Sequence, residues 1–154
     1  MRRFNLAHAA ETTALGARLA KLAKPGVVFA LIGPLGAGKT CLARGLIEAL
    51  NPTSADEIVS PTFTLVQTYD TAAGEVWHFD LYRVKHAEEI IELGFEDARA
   101  EICIIEWPER LGRYLPAARI DVTLAQAGDG RMAEIVGHGK YADAVKTWST
   151  ESEI

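Results

Sequence analysis

Apolar and polar positions along the chain alternate between helical and strand-like periods. Residues 2–6 read as a short edge strand. From residue 8 to 24, Leu15, Leu19 and Leu22 recur at helical spacing, and Pro25-Gly26 ends the run. Residues 27–32 are an unbroken apolar stretch of strand length, as in a strand buried on both faces. A glycine-rich turn occupies 33–38. Residues 39–50 then place Leu42, Leu46 and Leu50 on one helical stripe, closed by Asn51-Pro52. After a loop at 54–61, β-rich segments at 63–69 and 75–82 flank a turn at 70–74 and predict a hairpin. A short acidic helix is expected at 87–93, stopped by Gly94, then a second buried strand at 102–105 and a helical turn from Pro108. Residues 119–124 and 131–136 flank Gly128-Asp129-Gly130 as another hairpin, 142–148 reads as a last helix, and 149–154 as a frayed tail. Helices alternating with buried strands, followed by hairpins, predict an α/β fold: a mixed, mainly parallel sheet with helices on both faces.

Composition narrows the class. A chain of 154 residues suits a single domain spanning 1–154. Hydrophobic residues make up 49% and charged residues 24%, which excludes wholesale disorder. The longest apolar run, 27–32, is far below the ~18 residues that span a bilayer. Arg2 and Arg3 are followed by a segment broken by Asn5 and His8, so no secretory h-region follows. Cys41 and Cys103 form neither a metal spacing nor a disulfide framework, which predicts a cytoplasmic protein in a reducing compartment.

Net charge is −5 and unevenly spread, with seven Lys/Arg and one acid in residues 1–44 and nine Lys/Arg and twenty acids thereafter. Unaided nucleic-acid binding needs a basic face, so tight direct contact with RNA or DNA is not expected. The basic N-terminal part reads either as solvated helix charge or as a site for one compact anion. The acids Glu88, Glu89, Glu92, Glu96, Asp97 and Glu101 read as a solvated face or a docking surface for a basic partner.

Gly33-Pro34-Leu35-Gly36-Ala37-Gly38-Lys39-Thr40 satisfies the phosphate-loop pattern G-x-x-x-x-G-K-[ST], with the required buried strand before it and helix after it. Gly36 and Gly38 let successive N–H groups point at one phosphate, and the following helix adds its positive dipole end. Lys39 can reach β- and γ-phosphate oxygens, and the Thr40 hydroxyl can ligate Mg²⁺. Cys41 reads as a small packing residue. Such a loop needs acids at neighbouring strand ends. Asp80 closes the segment Val76-Trp77-His78-Phe79, and Glu106 closes Ile102-Cys103-Ile104-Ile105. Ser60-Pro61-Thr62-Phe63-Thr64 reads either as a plain loop or as a switch whose hydroxyls sense a γ-phosphate. His8, His78, His86 and His138 lie too far apart for a short metal motif and read as structural or exposed. Trp77 and Trp107 read as core before platform.

Taken in order, Gly36-Ala37-Gly38-Lys39-Thr40, Ser60-Pro61-Thr62-Phe63-Thr64-Leu65-Val66, His78-Phe79-Asp80-Leu81-Tyr82-Arg83 and Ile105-Glu106-Trp107-Pro108 resemble the TsaE (YjeE) family, over about residues 12–131. The resemblance implies a single P-loop ATPase domain required for threonylcarbamoyl-adenosine modification of tRNA next to the anticodon. It implies slow hydrolysis of ATP to ADP in isolation, and partnership with TsaD and TsaB, which hold the transfer chemistry and reach the tRNA. By resemblance Lys39 and the loop N–H groups hold phosphates, Thr40 and Glu106 ligate Mg²⁺, and Asp80 positions water or metal. The nucleotide set becomes Thr12, Leu35, Gly36, Ala37, Gly38, Lys39, Thr40, Cys41, Thr62 and Arg131; the catalytic set is Lys39, Asp80 and Glu106, and the metal set Thr40, Asp80 and Glu106. The family commonly has an acid where Pro34 stands, so any contact made by that acid is absent. Two rival classes share the loop: a small-molecule kinase, and a nucleotide-dependent binding module without significant hydrolysis.

Overall fold

The computed structural model describes residues 1–52 and 58–148. Part of the loop expected at 54–61, and the tail expected at 149–154, lie outside them. Among the described residues seven strands form one sheet: β1 (Arg2–Leu6), β2 (Val28–Ile32), β3 (Val66–Thr71), β4 (Gly74–Asp80), β5 (Ile102–Glu106), β6 (Arg119–Ala127) and β7 (Gly130–His138). Their order is β1-β7-β6-β2-β5-β4-β3. The four central strands, β6, β2, β5 and β4, run parallel, while the β3–β4 and β6–β7 hairpins and the β1–β7 pair are antiparallel. The sheet is therefore mixed, with its parallel part at the centre, as the buried apolar runs predict.

Alternation along the central strands builds two cores. Phe29 and Leu31 of β2 point to one face, with Ile104 of β5 and Val122 of β6. Helices α1 (Ala9–Leu19), α2 (Lys39–Ala49) and α5 (Ala142–Thr147) cover that face through Leu15, Leu19, Leu42, Leu46 and Val145. Val28, Phe79, Cys103 and Ile105 point the other way. They meet Ile90 of α3 (Glu88–Glu92), Phe95 of α4 (Phe95–Ala98) and Leu111 of the 3₁₀ segment Pro108–Tyr114. Helices on both faces leave the ends of the parallel strands as the natural ligand edge.

Helices α1 and α2 touch backbone to backbone. A Cβ on Gly16 would lie 2.2 Å from the Leu42 carbonyl oxygen, and one on Gly45 would lie 2.2 Å from that of Thr13. These reciprocal glycines set how closely α2, and the loop before it, approach α1.

Several boundaries differ from expectation for local reasons. The first helix stops at Leu19 and continues only as a 3₁₀ turn at Ala20–Leu22, beyond which Ala23 is already extended. β3 begins at Val66 rather than 63. The Leu65 N–H closes a turn onto the Pro61 carbonyl at 2.8 Å with Leu65 at φ 70°, and the Phe63 side chain is 79% exposed. The first hairpin has a tight turn at Ala72-Ala73, where Thr71 Oγ1 donates to Gly74 O at 2.7 Å and accepts from Ala73 N–H. The second runs longer than expected, with Ala127 paired to Gly130 across Gly128-Asp129. Helix α4 is too short to leave a periodic signal. No helix among the described residues is long and apolar enough to cross a membrane.

Candidate functional site

β2 delivers the chain to residues 33–38 at the carboxyl edge of the parallel strands, and α2 leaves from them. Gly36 (φ 78°) and Gly38 (φ 103°) adopt left-handed conformations that side chains resist. At Gly36 a Cβ would meet nothing within 4 Å, so backbone angle, not space, requires glycine. Gly38 caps α2, its carbonyl accepting from Leu42 N–H at 3.0 Å. The remaining N-terminal N–H groups of α2 are the donors such a turn offers an anion.

Lys39 is only 5% exposed. Its Nζ donates to the Gly33 carbonyl of its own loop and lies 3.4 Å from the centre of the Trp107 ring, a cation–π contact. Burial holds its pKa below the ordinary lysine value, against the opposing pull of Glu106, Glu109 and Asp80. The ammonium thus rests on its own loop and an aromatic face. Trp107, read from sequence as core before platform, is half-buried at φ 61° and forms a wall of the cleft beside Tyr82, ring centroids 4.9 Å apart. Trp77 does pack inward, stacked 6.1 Å from Phe79.

Register places the two acids together. Asp80 and Glu106 are Cα partners at the ends of β4 and β5, and Glu106 also pairs with Leu31 just before the loop. Thr40 Oγ1 donates to both Glu106 oxygens, at 3.0 Å to Oε1 and 3.2 Å to Oε2. Asp80 accepts from the Thr62 hydroxyl (3.3 Å at Oδ2) and from Tyr82 N–H (3.1 Å at Oδ1). Ser60 Oγ lies 2.7 Å from Thr62 Oγ1, so the 60–64 segment is tied to the acid edge through hydroxyls.

Leu35, Gly36, Gly38, Lys39, Thr40, Cys41, Thr62, Asp80 and Glu106 all line one cleft of about 280 Å³. Thr12 and Arg131 do not. They line a second cavity of about 190 Å³ on the other side of Gly38 and Cys41, which border both. Arg131 Nη2 reaches the loop itself, donating to the Gly36 carbonyl at 3.0 Å. Ala37 lines neither cavity, and its side chain is buried in the α1–α2 core. Cys41 Sγ lies 3.0 Å from Thr13 Oγ1 in the α1–α2 seam.

One residue of the site escaped the sequence reading as a functional group. His78 Nε2 lies 2.7 Å from Glu106 Oε2, with both side chains almost fully buried. The available signal was the period-two alternation of β4, which puts His78 on the same face as Asp80, a polar break in an apolar strand. The acidic stretch is mostly exposed. Within it Glu89 accepts from the N–H groups of His86 and Lys85, which holds its carboxyl below the usual range.

Among the described residues no three His, Cys, Asp or Glu side chains cluster as a metal cage. A hydroxyl and carboxylates beside a phosphate loop are instead the hard oxygen donors that suit Mg²⁺, which takes one or two carboxylates and completes its shell with phosphate and water.

The sequence model of the family described as threonylcarbamoyl adenosine biosynthesis protein TsaE matches residues 6–133. A tRNA threonylcarbamoyladenosine biosynthesis protein TsaE from Rickettsia felis is 39% identical over 145 residues, 94% of this chain and 79% of the relative. That of Bacillus subtilis is 35% identical over 119 residues, 77% of this chain and 74% of the relative. Among solved structures, the crystal structure of Bacillus subtilis YdiB superposes with a TM-score of 0.78 at 28% identity, covering 94% of this chain and 90% of that one. With its phosphate loop, its two acidic strand ends and this shared sequence over most of its length, the chain belongs to the TsaE family.

Proposed function

We propose that this chain binds Mg·ATP and hydrolyses it to ADP, slowly in isolation, as the ATPase subunit of tRNA threonylcarbamoyladenosine biosynthesis, working with TsaD and TsaB. The observation that carries the reading is the Thr40–Glu106 hydrogen bond at the mouth of the phosphate loop, with Asp80 in register beside it. When Thr40 donates its proton to Glu106, its oxygen lone pairs stay free for a cation. Thr40, Glu106 and Asp80 would hold Mg²⁺, which supplies charge neutralisation at the β- and γ-phosphate oxygens.

The chain's own groups do the rest. Lys39 leaves Gly33 and the Trp107 face for the phosphates, where a stronger anionic partner replaces a neutral carbonyl. The α2 N-terminus and the loop N–H groups hold the β-phosphate. Asp80, steadied by Thr62 and Tyr82 N–H, orients water at the γ-phosphate, and the Thr62 contact couples that acid to the 60–64 loop. The second cavity, with Thr12 and Arg131, takes the nucleoside end.

The test is ATP labelled on the γ-phosphate, incubated with the full chain and Mg²⁺, with and without TsaD and TsaB. Phosphate released to water, and lost in T40A and E106A, supports the reading. Transfer to an added small-molecule acceptor would make the protein a kinase. Binding without release, even with partners present, would leave a nucleotide-dependent binding module.

A further inference from the structure

We propose that His78 is a positioning residue for the metal site, holding the Glu106 carboxylate in the rotamer that presents it, with Thr40, to the cation; this rests on the Mg·nucleotide reading above. Glu106 ends β5 with almost no solvent exposure, so its carboxylate has no bulk water to orient it. Two side chains from different elements take that role. Thr40, on the first turn of α2, donates to both oxygens, and His78, from the neighbouring strand β4, meets Oε2 at 2.7 Å. His78 pairs in register with Ile104, two residues before Glu106, so it approaches the carboxylate from beneath, on the side away from the cleft. With Glu106 ionised, Nε2 carries the proton of that contact. Oε2 thereby takes His78 from the core side as well as Thr40, while Oε1 takes Thr40 and borders the cleft.

The cost of this arrangement indicates that it has a purpose. Among the described residues the buried His78 Nδ1 has no hydrogen-bond partner, a penalty an aliphatic residue would avoid. Val76, two residues earlier on the same face, is the ordinary solution at such a position and lies in the apolar core. A histidine that leaves one nitrogen unpaired, yet places the other on an acid facing the phosphate loop, resembles the outer groups that orient metal-ligating carboxylates. Removing such a group typically costs 10–100-fold in metal affinity or activity.

The experiment compares H78L, which keeps volume without a donor, with H78Q, whose amide nitrogen sits where Nε2 does. For the full chain, ADP affinity is measured by calorimetry in EDTA and across a Mg²⁺ series, and the Mg²⁺ midpoint is read. The expected result for H78L is a midpoint raised on the order of 10–100-fold with metal-free ADP affinity unchanged, and for H78Q a midpoint close to the parent's. An unchanged midpoint in H78L overturns the proposal. So does a matching loss of metal-free affinity, which would make His78 a packing residue, or a failure of H78Q to rescue. If the parent itself binds ADP with no Mg²⁺ dependence, the metal-site reading falls first and takes this inference with it. A parent that depends on Mg²⁺ beside an H78L variant equal to it removes only the role of His78.

Discussion

Lys39 is held by its own loop, and that sets two expectations. Replacing it with methionine keeps the stem against Trp107 but removes the ammonium, so ATP affinity should fall by about 1.5–3 kcal/mol, the worth of one charge-assisted contact, with little change in Tm. Calorimetric titration and thermal melting of K39M separate the two effects. The second expectation concerns pH. Burial depresses the Lys39 pKa in the free protein, whereas a bound phosphate holds it charged. Affinity is therefore full below the free-protein pKa and declines as pH rises through it, earlier than for a solvated lysine. An ADP titration from neutral to alkaline pH should show that decline in the parent and not in K39M. The cysteines offer another residue-scale test. Burial pushes the Cys103 thiol up to about 12, so it has almost no thiolate at neutral pH, while half-buried Cys41 borders both cavities. A thiol reagent should label Cys41 first and Cys103 only after denaturation, and ADP should slow the labelling of Cys41. Mass spectrometry of the labelled chain reads all three outcomes.

Between elements, the contact of α1 with α2 should control the loop. Alanine is normally the better helix former by about 1 kcal/mol, so G16A and G45A would stabilise isolated helices. Here each new Cβ would sit 2.2 Å from a carbonyl oxygen of the facing helix, and overpacking of this kind costs roughly 1–3 kcal/mol. Both variants should lose stability in urea, with nucleotide affinity falling as α2 is displaced; a gain in stability would mean that the seam yields easily. What the sequence discloses at this scale depends on how local the signal is. The buried runs of β2 and β5 and the glycine turn are contiguous, so their type and order are readable without a partner. Leu65 and Phe63 mimic a strand, yet the Pro61–Leu65 turn takes them out of it, and only the fold shows Phe63 in solvent. Asp80 and Glu106 can be read as strand ends, because the apolar runs stop there. For His78 the alternation of β4 shows only that it shares a face with Asp80; its partner lies sideways, in a register between β4 and β5 that no spacing along one strand records. The Arg131 contact with Gly36 spans 95 residues and is hidden for the same reason.

At the scale of the whole molecule, charge argues for division of labour. A net charge of −5 opposes the phosphate neutralisation that supplies most nucleic-acid affinity. The isolated chain should bind tRNA no more tightly than roughly 10⁻⁴–10⁻⁶ M at physiological salt, the non-specific range. Filter binding in the absence of partners checks this, and nanomolar affinity would make the protein an RNA reader in its own right. Topology also has a consequence for synthesis. Among the described residues β1 pairs as a strand with β7 alone, with Leu6 opposite Arg131, so the first strand waits for a partner about 125 residues downstream. At 5–20 residues per second that interval is on the order of 6–25 s, during which a nascent chain can already hold β2, the glycine turn and α2 without the arginine that ties down Gly36. The glycine loop is thus translated early and clamped late, and a ribosome-stalled chain ending before residue 131 carries the loop without that clamp.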